Sequence, residues 1–331
     1  MLRKSLRGVI VTAAIAVLAA TTADVASTDV TFTLGQPTAS HGAKGKGRPT
    51  CLVSNKRTGL GSRSLQAAID AAVSGDTLLV KGTCVGTSTA AKDLTIRGRS
   101  NPAFGGATLD GDHLGSVLSV TGGVTVAISR LIVTNGNGLI GGGIANSGGS
   151  TVVLIRSIVT GNTGQHGGGI SNSDNSTFVV QKSVVDGNTA GIAGGGIFSE
   201  NGSTLTLKNS IVSRNVAQFP GGGIFSFNGG GGTVTLTHSL VIGNSAESGG
   251  GIAFIFGTVS LTDSIVIGNS ASRNGGGVFD NVGTFSLVGS SMVIANTSGL
   301  DGGGIYNAAG TLINCISGVN VTANSPNDIF P

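Results

Sequence analysis

The chain has 331 residues, including 59 glycines, 6 prolines and 3 cysteines; 39% are hydrophobic, 10% are charged, and the net charge is +4. So few prolines, with no three-residue glycine period, exclude collagen, and the wealth of Val, Ile and Leu excludes a disordered glycine linker. Three cysteines are too few for a disulfide scaffold, so glycine must serve the geometry of a weakly charged, β-rich fold.

Residues 1–23 read as a secretory signal peptide. Arg3, Lys4 and Arg7 precede an apolar run of 13 residues, Gly8 to Ala20, which is short for a bilayer span. Thr21 and Ala23 place the cleavage after Ala23. The protein is therefore expected to be secreted or at the cell surface, with no membrane span in the mature chain. Loss of three positive charges leaves the mature chain near +1 (4 − 3). Residues 24–61 form a polar, basic linker: Lys44, Lys46, Arg48, Lys56, Arg57 and the neighbouring Arg63 meet no acid between residues 41 and 63. No aromatics interleave with these charges, so the stretch reads as a solvated spacer and not as a nucleic-acid surface.

Residues 62–130 read as an N-terminal cap and first coils. Ser64 is placed to cap a helix from about Leu65 to Val73 that presents Leu65, Ala68, Ile69 and Ala72 on one face and stops at Gly75. Apolar alternation predicts strands at about Leu78 to Val80, Leu94 to Ile96 and Val117 to Val120. Cys51 and Cys84 flank the helix and, in an exported protein, are candidates for a disulfide that pins the cap. Cys315 is left as a buried free thiol.

From residue 131 to 331 the chain repeats. A Gly-Gly-Gly triplet precedes Ile144, Ile170, Ile197, Ile224, Ile252, Val278 and Ile305, at gaps of 26 to 28 residues. An asparagine keeps the same clock at Asn135, Asn162, Asn188, Asn215, Asn244, Asn269, Asn296 and Asn324. A serine stands five residues before six of them, and a threonine opens a second run in each unit (Thr204, Thr233, Thr258, Thr284). Each unit holds three short extended runs and no helical period. Identical residues at identical places are what a parallel β-solenoid requires, because each coil lies on the last. Leu205, Leu207, Val234 and Leu236 then point into a narrow core. The asparagines stack as a structural ladder, and the glycines mark one repeated corner.

These residues carry a resemblance. The units resemble the right-handed parallel β-helix of the pectin-lyase-like superfamily. Their Gly-Gly-Gly-Ile and Val-x-x-Asn pairs (Gly194 to Ile197, Val212 to Asn215) are similar to the Gly-Gly-Ala-Ile and Phe-x-x-Asn repeats of chlamydial polymorphic outer-membrane proteins. The run Ser64-Leu65-Gln66-Ala67-Ala68-Ile69, followed by Gly75-Asp76-Thr77, looks like the cap opening of bacterial β-helix proteins. The resemblance implies an all-β, right-handed parallel β-helix of about nine coils of roughly 27 residues, with a short capping helix. It also implies either an adhesin-like surface role or a polysaccharide lyase or glycoside hydrolase activity.

Two sets of side chains are candidates for a site. Phe198, Phe225, Phe279 and Tyr306 each follow the corner apolar residue, so alternation turns them outward as a stacked column able to bind sugar rings; Ala253 interrupts it. Asp110, Asp112 and His113 form one acid cluster, and Asp174 and Glu200 are nearly in register on adjacent coils. No Gly-Gly-x-Gly-x-Asp calcium repeat and no lyase or polygalacturonase signature is present, and the reading leans away from an enzyme. Glu247 and Arg273 fall at one place on successive coils and should pair. Arg156, Lys182, Asn209, His238 and Asp263 make a surface charge ladder. Outward threonines (Thr204, Thr206, Thr233, Thr235) leave ice binding as a remote alternative. The expectation is a monomer that takes a polysaccharide or cell-surface glycan, with no metal, cofactor or nucleic acid.

Overall fold

One coil shows how the unit folds. Thr204–Lys208 alternates polar and apolar residues, and its Leu205 and Leu207 are fully buried while Thr204 and Thr206 face outward. Ile211–Ser213 follows after the buried Ser210, then Val216–Ala217 after Asn215, and Ile224–Phe227 after the glycine corner. Each strand pairs in parallel with its counterpart one coil on: Thr204 with Thr233, Val212 with Val241, Val216 with Ser245, Phe225 with Ala253. This is a computed structural model, and it describes residues 51–99, 106–229 and 231–331. The signal peptide expected at 1–23 and the linker up to residue 50 lie outside the described residues.

Repeated in this way, the chain is all-β: a parallel β-helix of about nine coils with four sheets of 12, 10, 7 and 10 strands. In chain order the coil above contributes to a first, second, third and fourth sheet. The unit thus has four strands, where the sequence pattern suggested three. The third sheet was missed because its strands are as short as two residues and turn only small side chains inward, at Ala190, Ala217, Ala246 and Ala271. Those alanines recur two residues after the ladder asparagine, a column that could have revealed the strand.

The core is a single stack. Leu205, Val234, Val259 and Phe285 succeed one another in register, as do Leu207, Leu236, Leu261 and Leu287, all at 2% exposure or less. Buried asparagines close the turn after the second sheet. Asn215 Nδ2 donates to Asn244 Oδ1 (3.0 Å) and to the Val185 carbonyl (3.0 Å), and Asn215 Oδ1 accepts from Asn188 Nδ2 (2.9 Å). The chain of amide bonds runs from Asn162 to Asn324. Asn135 is a correction: Gly136 occupies the ladder position and donates its N–H to Asn162 Oδ1. Asn135 instead takes the left-handed position before it (φ 55°), which Gly161 and Gly187 hold in the next coils, and bonds Asp110.

The N-terminal end is closed by α1 (Leu65–Ala71). The Ser64 hydroxyl accepts from the Ala67 N–H, and Leu65, Ala68 and Ile69 cover the first coil. Two antiparallel strands, Leu52–Asn55 and Gly61–Ser62, extend the first sheet beside α1. Cys51 and Cys84 form a disulfide between this edge and the first coil. Arg57 Nε lies 2.6 Å from Asp76 Oδ1 and Asn55 Nδ2 lies 2.7 Å from Oδ2. Those bonds, Arg57 foremost, hold the Asp76 carboxyl well below the usual carboxylate range. At the other end Cys315 is half-buried, and burial pushes its thiol up to about 11. Among the described residues no helix is long and apolar enough to cross a membrane.

Candidate functional site

The outward column of the fourth sheet runs in register through Phe198, Phe225, Ala253, Phe279, Tyr306 and Phe330. The sequence pattern placed its aromatics in solvent, and here the structure differs. Phe198 and Phe225 are only 4% and 6% exposed. Alternation does turn them away from the core, but the corner folds back over them. An added methyl at Gly194 would lie 2.9 Å from the Phe198 Cβ, and one at Gly221 would lie 2.5 Å from the Phe225 Cβ. His166 covers Phe198 further, with ring centroids 4.8 Å apart.

The lower part of the column is half-exposed, and it is extended by Phe330, which pairs in register with Tyr306. Phe279 and Tyr306 stack 5.4 Å apart at 1°, and Tyr306 and Phe330 stack 5.3 Å apart at 6°. Rings stacked along the axis cover one another's faces and show solvent their edges. A sugar needs a face, so an unbroken stack is a poor platform for it.

The stack is broken at Ala253. Between Phe225 and Phe279 lies a notch of about 290 Å³, lined by Pro220, Phe225, Ile255 and Phe279 and by the polar Glu247, Ser248, Arg273 and Asn274. Tyr306 takes one face of Phe279, which leaves the other directed at the Ala253 coil. Glu247 and Arg273 pair across the rim, Arg273 Nη1 to Glu247 Oε1 at 3.2 Å, as their shared place in the repeat required. An apolar wall with a carboxylate, a guanidinium and an amide at its edge suits a saccharide, whose ring offers a C–H face and a girdle of hydroxyls. Sequence reasoning read Ala253 as an interruption of the column; Ala253 is fully buried, and the rings in register on either side of it, Phe225 and Phe279, line the cavity.

The acids do not converge. Asp110 sits at the end of the second sheet, where its Oδ1 accepts from Asn135 Nδ2 (3.1 Å) and from the Asp112 N–H (3.0 Å). Asp112 and His113 follow with φ 50° and 58°, a turn closed by its own carboxylate. Asp174 and Glu200 are neighbours at the end of the fourth sheet. Burial, and then the Asp174 charge, push the Glu200 carboxyl above its ordinary range. Among the described residues no group of three or more His, Cys, Asp or Glu could hold a metal ion.

Four sheets, parallel throughout the repeated coils, define a β-solenoid. The sequence of residues 94–262, just over half of the chain, matches the model of the right handed beta helix region. The chain belongs to that family, and its fold is a right-handed parallel β-helix. Neither the curated proteins nor the solved structures give a match.

Proposed function

We propose that this is an exported β-helix protein with an adhesive or surface-interaction role, binding carbohydrate as a monomer and without catalysis. The observation that carries the reading is the notch between Phe225 and Phe279, where an apolar wall and the Glu247–Arg273 pair meet. The resemblance of its repeats to those of the pectin-lyase-like superfamily and of chlamydial surface adhesins supports the same role. So does the leader at 1–23, which would deliver the chain outside the cell.

The test is to fill the notch. Coils on either side carry phenylalanine at this place, Phe225 and Phe279, in register with Ala253. Ala253→Phe should therefore fold and complete the stack. On a glycan array, wild type is expected to select a set of saccharides that Ala253→Phe binds at least tenfold more weakly, about 1.4 kcal/mol. Equal binding by the two proteins would remove the notch from the account. Release of unsaturated sugars from a uronate polymer would replace binding with lyase activity.

A further inference from the structure

At the corner between the first and second sheets, one residue per coil adopts left-handed backbone. These are Arg130 (φ 56°), Arg156 (47°), Lys182 (50°), Asn209 (50°), His238 (47°), Asp263 (47°) and Gly289 (64°). Asparagine and glycine suit that conformation; arginine and lysine do not. Backbone bonds hold the corner in register: the N–H groups of Arg130, Arg156 and Lys182 donate to the carbonyls of Ile155, Gln181 and Lys208 in the following coils. In the coil before Arg130 the row passes to Gly98, flanked by Arg97, which pairs with Ser129, and by Arg99; Lys208, paired with Gln181, flanks the row further on.

All six cations are exposed, and none forms an ion pair among the described residues. Elsewhere Arg57, Arg214 and Arg273 are each matched with an acid. The unmatched stretch ends where His238 Nε2 meets Asp263 Oδ2 at 3.7 Å. At its start a basin of about 340 Å³ is lined by Lys56, Arg97, Arg99 and Arg130. Like charges on strands about 4.8 Å apart repel, and the left-handed backbone adds strain. Both costs fall on the same three residues, Arg130, Arg156 and Lys182, and a polyanion laid along them would offset the repulsion.

We propose that this cationic corner docks a linear acidic polysaccharide lying along the helix axis. The column carries one cation per coil over three successive coils, Arg130, Arg156 and Lys182, about 10 Å of axis, and the coil before it adds Arg97 and Arg99 beside Gly98. One saccharide of an extended polymer advances by close to one coil, so anionic groups on successive sugars can meet successive cations. The neighbouring outward column holds Ser129, Ile155, Gln181, Lys208 and Thr237, with no aromatic on which a base could stack. The corner joins the first and second sheets and shares no residue with the lining of the notch beside the fourth, so the two sites stand or fall separately.

The experiment titrates the exported chain across ionic strength with a sulfated polysaccharide, a polyuronate, a neutral polysaccharide and duplex DNA. The variant Arg130→Asn/Arg156→Asn/Lys182→Asn installs the residue that the same column carries at Asn209. The fold should therefore persist, with a melting temperature at or above that of wild type. Acidic polysaccharides are expected to bind wild type and the neutral one not to bind. In the triple variant affinity should fall tenfold or more at low salt, and the slope of log affinity against log salt should shrink by about two. Should that variant fail to fold, Arg97→Gln/Lys208→Gln on the flat sheet carries the same comparison, and Ala253→Phe should leave this binding intact. Three results would overturn the proposal: no binding of either acidic polysaccharide, equal binding by the variants, or tighter binding of duplex DNA.

Discussion

Asp280 is the least settled residue of the core. It lies in the inward column at the end of the fourth sheet, which also holds Asn172, Ser199, Ser226 and Phe254, and it is fully buried. No well-formed hydrogen bond reaches either carboxylate oxygen. Burial pushes its pKa up to about 6, and the Gly283 N–H offsets only part of that. The folded-state value is raised above the ordinary 3.8, so the pH-dependent cost of burial is absent below that value, grows as pH rises from there to about 6, and is constant above. Asn146 and Asn172 show that an amide fits this column. Asp280→Asn is therefore expected to stabilise the protein by about 1–3 kcal/mol at pH 8, with the difference vanishing near pH 4. Urea melts at the two pH values measure it; a variant less stable at pH 8 would refute the account.

At the scale of elements, the glycine corner has three different reasons in three successive residues. Gly221 has φ 75°, which a side chain rarely adopts. A methyl on Gly222 would lie 2.5 Å from the carbonyl oxygens of Gly250 and Ser245 in the next coil. One on Gly223 would meet the Gly251 carbonyl at 2.5 Å and the ladder amide of Asn244 at 3.0 Å. Gly222→Ala should destabilise by about 1–3 kcal/mol, because backbone and not a flexible side chain must move. Gly243→Asn is the contrast: φ is 64° there, no atom lies within 4 Å of the added Cβ, and Arg214 holds the equivalent place. Its melting temperature should stay within a degree or two of wild type. The triplet, the threonine strand openings and most of the asparagine ladder were legible because each recurs at one position in every coil. The third sheet was not, since two-residue strands carry no alternation. Asn135 misled because Asn135-Gly136 reverses the Gly-Asn order of Gly161-Asn162, and a period alone does not show which of two adjacent residues turns inward.

For the whole molecule, contacts run only between neighbouring coils, so loss of an end propagates along the stack. The N-terminal end is held by α1, by the Arg57–Asp76 bonds and by the Cys51–Cys84 disulfide, whose cysteines are 33 residues apart. Closing such a loop is worth about 3–4 kcal/mol in the chain-entropy account. Cys51→Ser/Cys84→Ser should speed hydrogen exchange in α1 and the first coils by two orders of magnitude or more while leaving the coils around Asn244 nearly unchanged. Uniform acceleration along the chain would mean that the cap is not a separate unit.

The sequence by itself determined the coil: its length, its register, its corner and its core. Parallel stacking makes every coil meet the same neighbours, so each physical requirement is written once per repeat and can be read as a column. Only the tertiary structure decided which outward columns reach solvent. Phe198, Phe225 and Ala253 are buried, whereas Phe279 and Tyr306, each behind a left-handed glycine at the same corner, are half-exposed. Coverage and convergence depend on how corners bend in three dimensions, and periodicity, which fixes only what lies above and below, carries no record of that.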